Sequence, residues 1–151
     1  MTNILSFNVV EIEGGALSIT AYIDGKPLSS MIAEFEAANG YTDPAGGYGG
    51  LVPDYFNFGP LLPYFCAEVG RPGASSKDEA IYLLGCECGE VGCWPLMASV
   101  IRIGSGYQWS AFRQPFRPRR NYVGFGPFTF ERHQYENALR ELPLFPVISG
   151  H

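Results

Sequence analysis

Three of the chain's four cysteines fall in Cys86-Glu87-Cys88-Gly89-Glu90-Val91-Gly92-Cys93, the densest group of chemically capable side chains in the sequence. Cys86 and Cys88 occupy alternate positions, so on a strand they share a face and can grip one ion. Thiolates suit zinc, and Cys93 with Cys66 or His133 completes a set of four ligands. The C-x-C-x4-C spacing departs from the doubled C-x2-C of zinc ribbons. A redox reading uses the same residues. With 89–92 as a hairpin loop, Cys88 and Cys93 face each other at the cross-strand distance from which a transient, regulatory disulfide can form. The third reading is packing: cysteine is a small, readily buried side chain, and Leu83, Leu84, Trp94 and Leu96 surround the cluster. A catalytic thiol would need a base, and the only histidines are His133 and His151.

A second group is Arg113-Gln114-Pro115-Phe116-Arg117-Pro118-Arg119-Arg120-Asn121-Tyr122, with four arginines interleaved with aromatics. Guanidinium groups bind phosphates and carboxylates bidentately and stack on rings. The segment therefore reads as a phosphate or nucleic-acid contact, as an anchor for an acidic partner, or as internal pairing with Glu87, Glu90 or other acids of the N-terminal part. Inside a folded domain its Pro115-x-x-Pro118-x-Arg120 pattern is a poor polyproline ligand. The glycines of 46–50 lack the Lys and Ser/Thr of a phosphate-cradling loop. H-E-x-x-H, G-x-S-x-G and paired H-x-E with C-x-x-C are all missing, so the sequence makes no positive case for an enzyme.

Charge is unevenly spread. The 151 residues sum to −5, but residues 1–100 hold twelve acids against Lys26, Arg71 and Lys77, a sum of −9. Residues 101–151 hold seven arginines against three glutamates, a sum of +4. An acidic field draws basic partners and repels nucleic acid. The acids in expected loops and turns, Asp43, Asp54, Asp78, Glu79, Glu87 and Glu90, are the candidate partner-binding residues. With 46% apolar and 15% aromatic residues the chain can bury a core, and its length suits one domain over 1–151. It has no apolar run of about 20 residues and no basic start of a signal peptide, which points to a cytoplasmic protein with neither membrane nor nucleic-acid partner.

The elements that must position these groups follow from local pattern. Leu5, Phe7 and Val9 share one face of a first strand; Gly14-Gly15 supplies a two-residue turn; Leu17, Ile19, Ala21 and Ile23 alternate in a second strand, closed by Asp24-Gly25. Leu28, Met31, Ile32 and Phe35 change the period to that of a helix over 28–38, with Ser29 or Ser30 as cap and Gly40 as stop. From 41 to 63 there is no period, and 61–66 has room for one helical turn. Strands at 80–88, 93–103 and 107–114 form a meander, the last with Tyr107, Trp109 and Ala111 opposite Gln108, Ser110 and Phe112. A short strand at 126–130 leads to a helix at 131–142, whose apolar stripe is Tyr135, Ala138, Leu139 and Leu142, with Glu131 and Gln134 as a capping pair. The fold class expected is α+β: an antiparallel hairpin and a meander with two helices.

The blocks Leu84-Gly85-Cys86-Glu87-Cys88-Gly89-Glu90-Val91-Gly92-Cys93-Trp94-Pro95-Leu96, Trp109-x-x-Phe112-x-Gln114-Pro115 and Phe125-Gly126-Pro127-Phe128-x-Phe130-x-x-x-Gln134-Tyr135-Glu136 resemble, in the same order, a group of small uncharacterised bacterial proteins. That resemblance implies a cytoplasmic compartment and a single-domain architecture. More loosely, a small acidic α+β chain is similar to the immunity proteins of bacterial toxin systems. The expectation is a non-enzymatic protein-binding domain, an immunity protein for a basic toxin domain, with no cofactor. The alternative is a zinc- or thiol-dependent protein built on Cys86, Cys88 and Cys93.

Overall fold

The computed structural model describes residues 2–42, 45–53, 55, 58, 60–67, 80–86 and 95–142. Two antiparallel sheets and three helices make an α+β fold. In the first sheet, β1 (Leu5–Glu11) pairs with β2 (Leu17–Ile23) from Leu5↔Ile23 to Glu11↔Leu17, and β2 pairs with the two-residue β3 (Lys26–Pro27). Ile19, Ala21 and Ile23 are buried, as their alternation predicts. The first turn is wider than Gly14-Gly15 alone. Both glycines take φ of +86°, and the Ile12 amide donates to the Ala16 carbonyl across them at 2.8 Å. At Asp24-Gly25 the backbone is left-handed at both positions, so the chain returns as β3 where an end to the hairpin was expected.

Helix α1 (Leu28–Ala38) has the predicted span. It starts from Pro27, whose fixed φ suits a helix entry, and neither Ser29 nor Ser30 caps it. Asn39 Nδ2 donates to the Phe35 carbonyl at its end, and Gly40, at φ +81°, turns the chain away.

The second sheet runs β4 (Tyr48–Gly49), β5 (Ala80–Cys86), β6 (Leu96–Ile103), β7 (Gly106–Arg113) and β8 (Phe128–Glu131). The meander is as predicted; β4 lies within the stretch read as aperiodic, because two residues are too few to show a period. Helix α2 (Leu61–Phe65) is the expected turn made into a third helix. Isolated bridges Asn3↔Phe130 and Ile19↔Leu51 join the two sheets. One buried cluster crosses both, with Leu5, Ile23, Ile32, Leu84, Trp109, Phe130 and Tyr135 at 2% exposure or less. No helix of the described residues is long and apolar enough to cross a membrane.

The pleat of β7 differs from the expected one. Ala111 has φ +52°, and between Met97↔Arg113 and Ser99↔Ser110 the strand β7 carries one residue more than β6. This bulge shifts the alternation by one residue. Phe112 therefore joins Tyr107 and Trp109 in the core, and Ala111 faces out.

Helix α3 (Arg132–Arg140) is capped by Glu131, whose carboxylate accepts from the His133 and Gln134 amides at 2.8 and 3.0 Å. Gln134 does not close a capping box. Its side chain bonds both backbone groups of Leu5, at 3.0 and 2.7 Å, and so ties the helix to β1. Glu136 accepts from the Tyr107 hydroxyl at 2.8 Å and pairs with Arg132 and Arg140. Its acidity is enhanced first by the Tyr107 bond and then by these arginines. Glu131 and Asp24 are also held below their ordinary values, Glu131 by the two helix amides and Asp24 by the Asn3 side chain and the Ile4 amide. A carboxylate more acidic folded than unfolded contributes stability that is complete above its unfolded pKa and is lost as pH falls through the folded one. Stability is therefore expected to decline once pH drops below about 4.5, the ordinary glutamate value. Glu136→Gln should flatten that decline in urea-unfolding midpoints measured across this range.

Candidate binding groove

The apolar stripe of α1 ends in a charge. Leu28, Ile32 and Glu36 follow at four-residue intervals, so Glu36 points the same way as the leucine and isoleucine and is fully buried. A buried carboxylate is tolerated only when donors replace its water. Here Oε1 accepts from the Gly46 amide at 2.8 Å, and Oε2 accepts from the Tyr48 and Tyr122 hydroxyls, each at 2.6 Å. Arg120 Nη1 lies 3.3 Å from Oε2, with its side chain 9% exposed. Burial, then the bond to Glu36, pushes the Tyr122 phenol up to about 12 and raises Tyr48 further. Both tyrosines therefore stay protonated donors at neutral pH. Of the arginine segment, Arg120 thus pairs internally with an acid of the N-terminal part, Glu36, as one reading of the segment expected.

This cluster clamps residues 114–127, which connect β7 to β8 without regular structure. Successive turns bond Arg117 to Gln114, Arg120 to Arg117 and Phe125 to Tyr122 through the backbone. The Asn121 amide donates to the Tyr41 hydroxyl at 2.8 Å, and the Arg120 guanidinium lies 5.3 Å over the Tyr41 ring. Phe35 stacks on Tyr122 and meets Phe125 edge-on, which in turn packs against Phe112. A loop so anchored presents its outer side chains in one arrangement.

Between this loop and the outer side of β7 runs an open groove of about 440 Å3, bordered by Gln108, Ser110 and Ala111 on the strand and by Arg119, Asn121 and Val123 on the loop. Val123 is 88% exposed, and Phe116, elsewhere on the loop, is 52% exposed. Two local departures from rest sit at the loop's root. Ala111 holds a left-handed φ, and the buried Gln114 Nε2 has no acceptor among the described residues. Ala111→Gly is expected to relieve the first and raise stability by up to about 1 kcal/mol, readable as a higher melting temperature.

Of the residues singled out in the sequence, Asp43, Asp54, Asp78, Glu79, Glu87, Glu90, Cys88 and Cys93 lie outside the described residues. Cys86 ends β5 opposite Tyr48. Cys66 is a buried thiol beside the Tyr107 hydroxyl, and His133 lies exposed on α3. Among the described residues no three His, Cys, Asp or Glu side chains gather as metal ligands. The sequence reading passed over Glu36; its position four residues beyond Ile32 was the available signal. Compared with known proteins, the chain matches no family model, no curated protein and no solved structure.

Proposed function

We propose that the chain is a non-enzymatic protein-binding domain, in the role of an immunity protein that neutralises a basic toxin domain. The observation that supports protein binding best is the clamped 114–127 loop, while the basic character of the partner rests on the acids of residues 1–100 and not on this loop, whose charges are all positive. A surface ordered in advance loses little entropy on binding, and arginine and aromatic side chains are the types that dominate binding energy at protein interfaces. Arg119 and Phe116 supply such contacts, and Val123 adds exposed apolar area beside them. Apart from Glu36, which is buried against Arg120, the acids of residues 1–100 supply attraction to a basic partner and speed its approach. Glu11, Asp24 and Glu34 are exposed contributors to it, and Asp43, Asp54, Asp78, Glu79, Glu87 and Glu90 are the proposed contact acids. Calorimetric titration with a basic toxin domain encoded beside this chain tests the reading. We expect a Kd below about 1 μM. Association should slow as salt rises, and Phe116→Ala should weaken binding by about tenfold, a loss of ~1.4 kcal/mol. Absence of a complex at micromolar concentrations defeats the proposal.

A further inference from the structure

Near the start of β7, away from the groove, two guanidinium groups share a single carboxylate and a third reaches it through a tyrosine hydroxyl. Arg132 Nε lies 3.2 Å from Glu136 Oε2, and Arg140 Nη2 lies 3.4 Å from Oε1. Arg102 Nη2 donates at 3.3 Å to the Tyr107 hydroxyl, which itself donates to Glu136 Oε2 at 2.8 Å. Among the hydrogen-bonded groups one negative charge faces three positive ones, a surplus of two, with the exposed Glu131 carboxylate as a further charge that acts on Glu136. The floor is fixed, since Tyr107 and Glu136 are 1% and 9% exposed. The arms are not covered: the side chains of Arg132 and Arg140 are 54% and 57% exposed, and Arg102 is an exposed residue on β6.

Arginines collected this closely repel one another unless an anion joins them. Arg132 meets Glu136 through Nε, and Arg102 meets Tyr107 through one terminal nitrogen, so each of these exposed side chains retains N–H donors that the network does not use. Guanidinium forks match the oxygens of a tetrahedral oxyanion bidentately, and a dianion cancels the surplus of two. We propose that Arg102, Arg132 and Arg140 form a binding site for a dianionic phosphate group, with Tyr107 and Glu136 as the positioning floor. The group can arrive as free phosphate or on a phosphorylated side chain of a partner, because the chemistry recognised is the same. This site is independent of the proposed toxin-binding role.

The test follows the arginine Nε–H signals by NMR while the whole chain is titrated with inorganic phosphate, and with sodium chloride at matched ionic strength. We expect a saturable shift with phosphate alone, confined to these three arginines. Arg102→Gln should weaken it at least fivefold, since Arg102 does not touch the Glu136 carboxylate and lies outside the core. Arg119→Gln removes the same charge from the loop and should leave it unchanged. A short phosphoserine peptide that binds more tightly than inorganic phosphate, with its unphosphorylated twin silent, assigns the site to a protein partner; equal affinity assigns it to the free ion. Chloride matching phosphate, or the two variants losing affinity equally, overturns the proposal, since either means general screening of a basic surface.

Discussion

Glu36→Gln is expected to destabilise the protein by about 3–5 kcal/mol, a large share of the stability of a domain this size. The substitution preserves shape and removes charge. It leaves the Arg120 guanidinium, whose side chain is 9% exposed, without its counter-ion, and weakens the acceptor shared by Tyr48 and Tyr122. The loss should appear as a lower denaturant midpoint. It should also appear as faster amide exchange at Asn121, whose bond to Tyr41 depends on the clamped loop. Removing both charges, in Glu36→Gln with Arg120→Met, should cost less than the sum of the single changes, because neither ion is then stranded. Strict additivity would mean that the pair does not hold the loop, and the proposed binding surface would lose its physical basis.

Trp109→Ala should cost a comparable 3–5 kcal/mol, by a different route. Trp109 is fully buried on β7, with the Phe130 ring centroid at 4.9 Å, that of Tyr135 at 6.2 Å and that of Phe65 at 6.5 Å. Its indole N–H donates to the Tyr135 hydroxyl at 2.9 Å, and that hydroxyl donates to the Phe65 carbonyl at 2.6 Å. Truncation opens a cavity between the second sheet, α2 and α3 and breaks this relay at its first link. Trp109→Phe keeps most of the volume and forfeits the hydrogen bond, so it should cost only about 1 kcal/mol. Chemical denaturation of the two variants separates packing from hydrogen bonding, and equal losses would refute the packing account.

The two effects differ in how visible they are beforehand. Trp109 was legible in the sequence, since Tyr107, Trp109 and their alternating polar neighbours mark a half-buried strand whatever they pack against. Glu36 was hidden by its residue type: glutamate on a helix is normally solvent-facing, and only its spacing from Ile32 placed it inwards. Gln134 misled in the opposite way. Its place three residues after Glu131 promised a local cap, yet its amide serves the backbone of Leu5, a partner 129 residues away in the chain.

Local periodicity determined the β1–β2 hairpin, the limits of α1, the β5–β7 meander and the Glu131 cap, because each is a contest among neighbours in the chain. The tertiary structure alone decided which arginine faces Glu36, where β7 bulges, that β4 exists, and that Arg102 reaches the tyrosine hydroxyl bonded to Glu136 of α3. These are set by groups far apart in sequence, whose burial makes hydrogen-bond and charge partners obligatory, and no short window of residues carries that requirement.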